Sequence, residues 1–284
     1  MKEQFIQYLI LMRINRPIGI WLLLWPTLWA LWFAAGGVPP VKILLIFILG
    51  TVLMRSAGCV INDLADRDID PNVARTRDRP IATGRVSTGE AVRLFTVLCL
   101  IAFGLVTQLN LHTVLLSLAA LALAATYPFA KRFHSLPQAH LGLAFAWGIP
   151  MAFTALGTPV PWDLVGWLVL ANVLWVIAYD TFYAMSDRED DLRIGVRSSA
   201  ILFGRHDRWI TAVLQAATLA CLAMAGRQRH EWYWIGLAVA ALLAVYQQWR
   251  VRGRDPALCL RAFLNNAYFG AAVFAGLALD LAST

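Results

Sequence analysis

Apolar residues in this chain fall in long runs, not in the short amphipathic stripes of a soluble core. Nine such runs lie at about 18–36, 41–61, 91–109, 112–129, 138–156, 162–184, 209–226, 232–249 and 262–282. Each approaches the roughly 20 apolar residues with which an α-helix crosses a bilayer. The pattern predicts an all-α, polytopic membrane protein with nine transmembrane helices forming a single domain, 1–284. The first run is too long for a signal peptide, and no clean cleavage signal follows it. Inside it Trp21, Trp25, Trp29 and Trp32 recur at helical spacing, a stripe suited to packing and interface anchoring.

Composition narrows the class. Of 284 residues, 60% are hydrophobic and 14% charged, against about 45–50% and about 25% in ordinary soluble domains. A soluble enzyme and a disordered chain are both excluded. The four cysteines (Cys59, Cys99, Cys221, Cys259) stand singly, which argues against a disulfide framework or a zinc site. No histidine pair shows ligand spacing.

Charge then sets the orientation. With the N-terminus in the cytoplasm, 21 of the 24 basic residues fall on the inner side, and only Lys42, Arg227 and Arg229 fall outside. That asymmetry follows the positive-inside rule. The net charge of +7 therefore reflects topology, and a nucleic-acid partner is not expected. Nine spans place the C-terminus outside. Two long inner loops, about 62–90 and 185–208, are where function is expected.

Ten of the 17 acids cluster in two tracts, 62–80 and 179–191. NDLADRDID (62–70) begins the first cluster and YDTFYAMSDREDD (179–191) forms the second, each directly after an apolar run. Extending the helices puts Asn62, Asp66 and Asp70 on one face, and Asp180, Asp187 and Asp191 on another. Both would lie at helix C-termini, where the macrodipole disfavours carboxylates by a few tenths to about 1 kcal/mol. A hard divalent cation resolves the conflict: carboxylates and an Asn carbonyl suit Mg²⁺, which shares its shell with phosphate oxygens. Asp63, Asp68, Asp78, Glu189 and Asp190 have a simpler reading as loop and capping acids. Arg67, Arg75, Arg77 and Arg79 follow the first cluster, and Arg188, Arg193 and Arg197 the second. They suit phosphate oxygens, although the positive-inside rule accounts for some of them equally well. Mg²⁺ sites, arginines and an apolar surround together describe a site for a diphosphate on a hydrophobic chain. Ionisation of an allylic diphosphate leaves a cation that aromatic faces stabilise; Tyr127, Tyr179 and Tyr183 lie near the right depth, which also suits aromatic-belt residues.

These tracts resemble the UbiA superfamily of intramembrane prenyltransferases. NDLADRDID is similar to its NDxxDxxxD motif, and YDTFYAMSDREDDLRIGVRSSAILFG to its second aspartate motif and the segment after it. RPIGIWLLLWPTLWALW (16–32) and YPFAKR (127–132) resemble the 4-hydroxybenzoate polyprenyltransferase branch. The resemblance implies helices around a central cavity open laterally to lipid, in a bacterial inner (plasma) membrane. It implies that Asn62, Asp66, Asp70, Asp187 and Asp191 hold Mg²⁺–diphosphate, with Arg67, Arg79, Tyr179, Asp180, Tyr183, Arg193 and Arg197 as substrate contacts. Arg132 resembles the family's basic residue for the carboxylate of the aromatic substrate, with Lys131 or a snorkelling role as alternatives. Arginine at 193 and 197 and Phe182 depart mildly from relatives. The implied substrates are a polyprenyl diphosphate and 4-hydroxybenzoate, joined by electrophilic substitution ortho to the phenol in ubiquinone biosynthesis. Another aromatic acceptor is the alternative. A cation-coupled transporter fits poorly, because transporters carry their ionisable groups near the membrane midplane.

Overall fold

A computed structural model describes residues 2–72, 76–133, 136–157, 159–195 and 197–284, apart from the side chains of Asn72, Phe129, Lys131, Arg132, Phe133 and Ile194. Among the described residues the regular structure is helical throughout. The order is α1 (Lys2–Leu11), α2 (Ile18–Ala35), α3 (Val41–Ala65), α4 (Thr88–Val106), α5 (Leu111–Phe133) and α6 (Pro137–Ala146). It continues with α7 (Gly148–Ala155), α8 (Trp162–Ile194), α9 (Ser199–Phe203), α10 (Asp207–Ala225), α11 (Glu231–Arg250) and α12 (Pro256–Ala282). Helix ends follow local chemistry. Ser87 and Glu90 close a capping box at the start of α4, and Pro256 opens α12 behind the Asp255 cap. The left-handed Gly195 (φ 69°) ends α8 by donating its N–H to the Asp191 carbonyl.

Among the described residues, seven helical segments are long and apolar enough to cross a membrane: α2, α3, α4, α5, α8, α9 with α10, and α12. The other two expected spans differ from that standard. The fifth is broken at Trp147 into α6 and α7, and α11 has the length but not the apolarity.

The centre of the bundle is α8. Trp175 is fully buried, with ring centroids 5.4 Å from Trp29, 5.2 Å from Tyr179 and 5.3 Å from Phe269. Its indole N–H donates to Asn266 Oδ1 at 2.8 Å, as a buried tryptophan requires. The tryptophan stripe of α2 divides: Trp29 is core, whereas Trp21 is exposed and reaches the cavity described below. Buried amides join the last three helices, Gln215 to Gln247 at 2.6 Å and Gln247 to Asn265 at 2.9 Å. Gly236 of α11 and Gly276 of α12 let two backbones touch; a Cβ on either would lie 2.7–2.8 Å from the opposite backbone.

The two acidic tracts fold differently from each other. The first was expected to continue as helix to Asp70, but α3 stops at Ala65 and Asp66 is its cap. Asp70 begins a single turn of 3₁₀ helix, with Pro71 in that first turn, where its missing N–H is tolerated. Backbone bonds Asp66 N–H to Asn62 O (3.0 Å) and Asp70 N–H to Asp66 O (2.8 Å) preserve the i, i+4 succession without the helix. The second tract does continue: α8 runs unbroken for 33 residues, through Asp180, Asp187 and Asp191.

Candidate active site

One cavity of about 1520 Å³ runs through the bundle. Its wall includes a face of α3 from Ile46 and Phe47, through Thr51, Arg55 and Cys59, to Asn62 and Asp66. At 1.5 Å per residue that face is about 30 Å long. It is apolar at one end, where Ile46 and Phe47 lie, and acidic at the other. Asp180, Tyr183, Asp187 and Asp191 of α8 line the same cavity. A side cleft of about 130 Å³ is walled by Asn62 on one side and by Asp180, Asp187 and Asp191 on the other. Two motifs about 120 residues apart in the chain are thus brought face to face.

The first motif is buried and interlocked with arginine. Asp63, Asp66 and Asp70 are all buried, and Asn62 Nδ2 donates to Asp66 Oδ2 at 3.4 Å. Arg79 Nη1 lies 3.1 and 2.9 Å from the two Asp70 oxygens and 3.0 Å from Asp63 Oδ1. Arg13 Nη2 closes the group on Asp63, at 2.9 and 2.8 Å. Burial pushes the Asp70 carboxyl above its ordinary value, and the Arg79 guanidinium opposes that rise. The loop is held by Thr76, whose hydroxyl donates to the Asp70 carbonyl at 2.9 Å.

The second motif is more open: Asp187 and Asp191 are half-buried on the cavity side of α8. Its brace lies lower. Asp207, the fully buried first residue of α10, accepts from Arg254 Nη2 at 2.8 Å, from Arg188 Nη1 at 3.4 Å and from the Arg208 N–H at 2.7 Å. Arg188 adjoins Asp187, so this buried carboxylate ties the end of α8 to the α11–α12 connection.

The remaining expected residues divide. Arg79, Tyr127, Asp180 and Tyr183 line the cavity, and Arg197 lines the side cleft. Tyr179 is buried behind the wall against Trp175 and Phe263, its hydroxyl without a hydrogen-bond partner among the described residues. Arg67 and Arg193 are exposed and pair with neighbouring acids, Asp68 at 3.7 Å and Asp190 at 3.5 Å; neither is part of the cavity wall. The side chains of Lys131 and Arg132, like residue Arg75, lie outside the described residues.

Sequence reasoning missed Arg55, which it counted only toward topology. Arg55 lines the cavity from the middle of a membrane helix, and its Nε is buried without a hydrogen-bond partner among the described residues. Its electrostatic neighbours include Cys59, Tyr127, Tyr179 and Tyr183, and no carboxylate lies within ion-pair distance among the described residues. It sits seven residues before Asn62, about 10 Å along the helix. An intramembrane cation with no counter-ion is costly and marks a site by that cost. The signal in the sequence was an arginine four residues before Cys59 and seven before Asn62, on the motif's own face.

A model of the UbiA prenyltransferase family matches residues 23–272. The chain belongs to that family. This UbiA-family chain is 57% identical over 282 residues to the 4-hydroxybenzoate octaprenyltransferase of Nitrosococcus oceani, covering 98% of each protein. It is likewise 57% identical to the 4-hydroxybenzoate octaprenyltransferase of Thiobacillus denitrificans, over 98% of this chain and 95% of the relative. Among solved structures, the apo form of a UbiA homolog from Aeropyrum pernix K1 superposes with a TM-score of 0.81 at 27% identity, covering 92% of this chain and 97% of that one. A UbiA homolog from Archaeoglobus fulgidus, solved bound to GPP and Mg²⁺, has a TM-score of 0.68 over 95% of this chain and 99% of its own. At 20% identity it attests the fold.

The donor set of this UbiA-family chain fits the cation its motifs imply. Among the described residues no three Asp, Glu, His or Cys side chains converge closely enough to hold a metal by themselves. What converges on the cavity is hard oxygen in ones and twos. Mg²⁺ is bound by one or two carboxylates with water and substrate phosphates completing the shell.

Proposed function

We propose that the protein transfers a polyprenyl chain from polyprenyl diphosphate to the ring carbon ortho to the hydroxyl of 4-hydroxybenzoate, a step of ubiquinone biosynthesis. The observation that carries this reading is the joint lining of one cavity by two aspartate motifs, an apolar wall and Arg55. The names of the near-full-length relatives support it.

Asn62, Asp66 and Asp70 would hold Mg²⁺ on one side of the diphosphate, and Asp187 and Asp191 on the other. When bound, Mg²⁺ supplies charge neutralisation to the departing diphosphate. Arg79 adds a guanidinium at the same end. The tail lies along the apolar face of α3, toward Phe47 and Ile46. As the allylic C–O bond breaks, the electron pair leaves with diphosphate, and the carbon cation faces Tyr127 and Tyr183 in a site shielded from water. The ring carbon then attacks and releases its proton. Arg55 holds the carboxylate of the acceptor, which gives the intramembrane cation its counter-ion and orients the ring toward the acidic end. The broken α6–α7 pair and α11 complete nine spans, with the N-terminus and both motifs in the cytoplasm and the C-terminus in the periplasm of a bacterial inner membrane. The basic residues on the motif side support that orientation.

The test is a membrane assay with 4-hydroxybenzoate, a long-chain prenyl diphosphate and Mg²⁺. Arg55→Ala is expected to raise KM for the acceptor by at least about tenfold, one lost charge-assisted contact, with KM for the prenyl donor little changed. Arg132→Ala, the residue to which the family resemblance gives the carboxylate, is measured in parallel. An acceptor KM that moves in Arg132→Ala and not in Arg55→Ala returns the carboxylate to YPFAKR.

A further inference from the structure

Asp63 has no task in the proposed reaction, yet it is the most buried acid of the first motif, at 1% exposure. Both of its oxygens are taken by Arg13 Nη2, at 2.8 and 2.9 Å. Its Oδ1 also lies 3.0 Å from Arg79 Nη1, the nitrogen that contacts both oxygens of Asp70 at 2.9 and 3.1 Å. One nitrogen with two hydrogens therefore serves three oxygens. Among the described residues the other edge of the same guanidinium, Nε and Nη2, donates to nothing. The four groups cancel in charge, and the group is closed without any added ion. A guanidinium astride both oxygens of Asp70 also repels a second cation from that carboxylate.

We propose that Arg79 is a placeholder cation, tethered by Asp63, which occupies Asp70 until a metal–diphosphate displaces it. The proposal rests on the Mg²⁺–diphosphate reading above. Displacement requires Arg79 to leave Asp70 but not Asp63, because the two contacts use different carboxylates. The unspent Nε–Nη2 edge then turns to diphosphate oxygens, for which a guanidinium fork is suited. Asp63 is thus a positioning residue. Arg13 fixes it through bonds to both oxygens, so that it remains a pivot when Arg79 moves.

The experiment uses the full chain in lipid nanodiscs with Mn²⁺ as probe, read by electron paramagnetic resonance. Binding is measured with Mn²⁺ alone and with a non-transferable prenyl thiodiphosphate. Arg79→Gln removes the competitor and one diphosphate contact. It is expected to bind Mn²⁺ alone severalfold tighter, and the thiodiphosphate with Mn²⁺ about tenfold weaker. Asp63→Asn leaves Arg79 with Asp70 as its sole carboxylate, so Mn²⁺ alone is expected to bind severalfold weaker. A purely structural role lowers both affinities in both variants; that result, or unchanged Mn²⁺ binding in Arg79→Gln, overturns the proposal. If Arg79→Gln fails to insert, Arg79→Lys keeps the charge without the fork. It is expected to hold Mn²⁺ affinity within about twofold while weakening the thiodiphosphate about tenfold, and loss of both overturns the proposal. Wild-type protein that binds no Mn²⁺ even with the thiodiphosphate defeats the metal reading itself. Normal wild-type binding with off-pattern variants defeats only the placeholder.

Discussion

The first aspartate motif sits where a helix has just ended, and the second on a helix that has not. Asp63 lies in the last turn of α3, Asp66 caps it and Asp70 follows in the next turn; all three are buried, with Arg13 paired to Asp63 and Arg79 to Asp63 and Asp70. Asp187 and Asp191 stand half-buried on the straight α8, and their brace is one element away at Asp207. The two sides nevertheless share one device. Among the described residues two non-glycines have left-handed backbone, Arg13 (φ 59°) and Arg254 (φ 55°). Each donates two or more bonds to a buried aspartate, Asp63 or Asp207. A left-handed residue costs roughly 1–2 kcal/mol, which a charge-assisted bond to a buried carboxylate offsets. The difference lies in what each clamp restrains: on the first side the clamped aspartate touches the motif's own cation, on the second it holds the helix.

The most severe way to break this comparison is to remove one acid from each motif. Asp66→Asn and Asp187→Asn should each lower turnover by more than about a hundredfold, beyond the range of outer-shell metal partners, in protein that still inserts. Product formation per folded enzyme decides it, and near-normal activity in either variant reduces the pair to a single working motif.

Next in size are the clamps. Arg254→Ala leaves Asp207 fully buried with Arg188 at 3.4 Å as its remaining ion pair, and should destabilise the protein by roughly 3–5 kcal/mol. Arg13→Ala should cost less, because Asp63 retains Arg79 at 3.0 Å. Thermal unfolding in detergent ranks the two; the reverse order would mean that the first side is the more rigid.

Away from both motifs, Gly236→Ala or Gly276→Ala forces a methyl into backbone contact and should cost roughly 1–3 kcal/mol with Mn²⁺ affinity unchanged. A shift in metal binding there would tie the α11–α12 contact to the site. The smallest effect is expected at Arg67→Ala and Arg193→Ala, whose exposed ion pairs are worth about 0–1 kcal/mol; turnover should change by less than about fivefold. A larger loss in either would bring that arginine back to the diphosphate.

Much of the site was legible because its chemistry is local. Asn62, Asp66 and Asp70, then Asp187 and Asp191, could be grouped from spacing after an apolar run, and the structure places all five on one cavity. Tyr127 and Tyr183 were legible from depth along their helices. Arg55, Asp63 and Asp207 were not, for physical reasons. Topology explains a membrane-flanking arginine as well as function does, and a loop aspartate reads as a cap until its partners are known. Those partners are distant in sequence: Arg13 is 50 residues from Asp63, and Arg254 is 47 from Asp207.

By itself the sequence determined the class of protein, the helical runs and the family. Each of these follows from an average over many residues or from a short contiguous motif. Only the tertiary structure decided which carboxylates line the cavity and which arginines they pair with. It also decided where α3 stops relative to its motif, and that among the described residues Arg55 stands without an acid partner in the cavity wall. Those outcomes depend on burial and on pairs brought together across the bundle. A carboxylate's role is set by the charges around it, and in this chain those charges come from other helices.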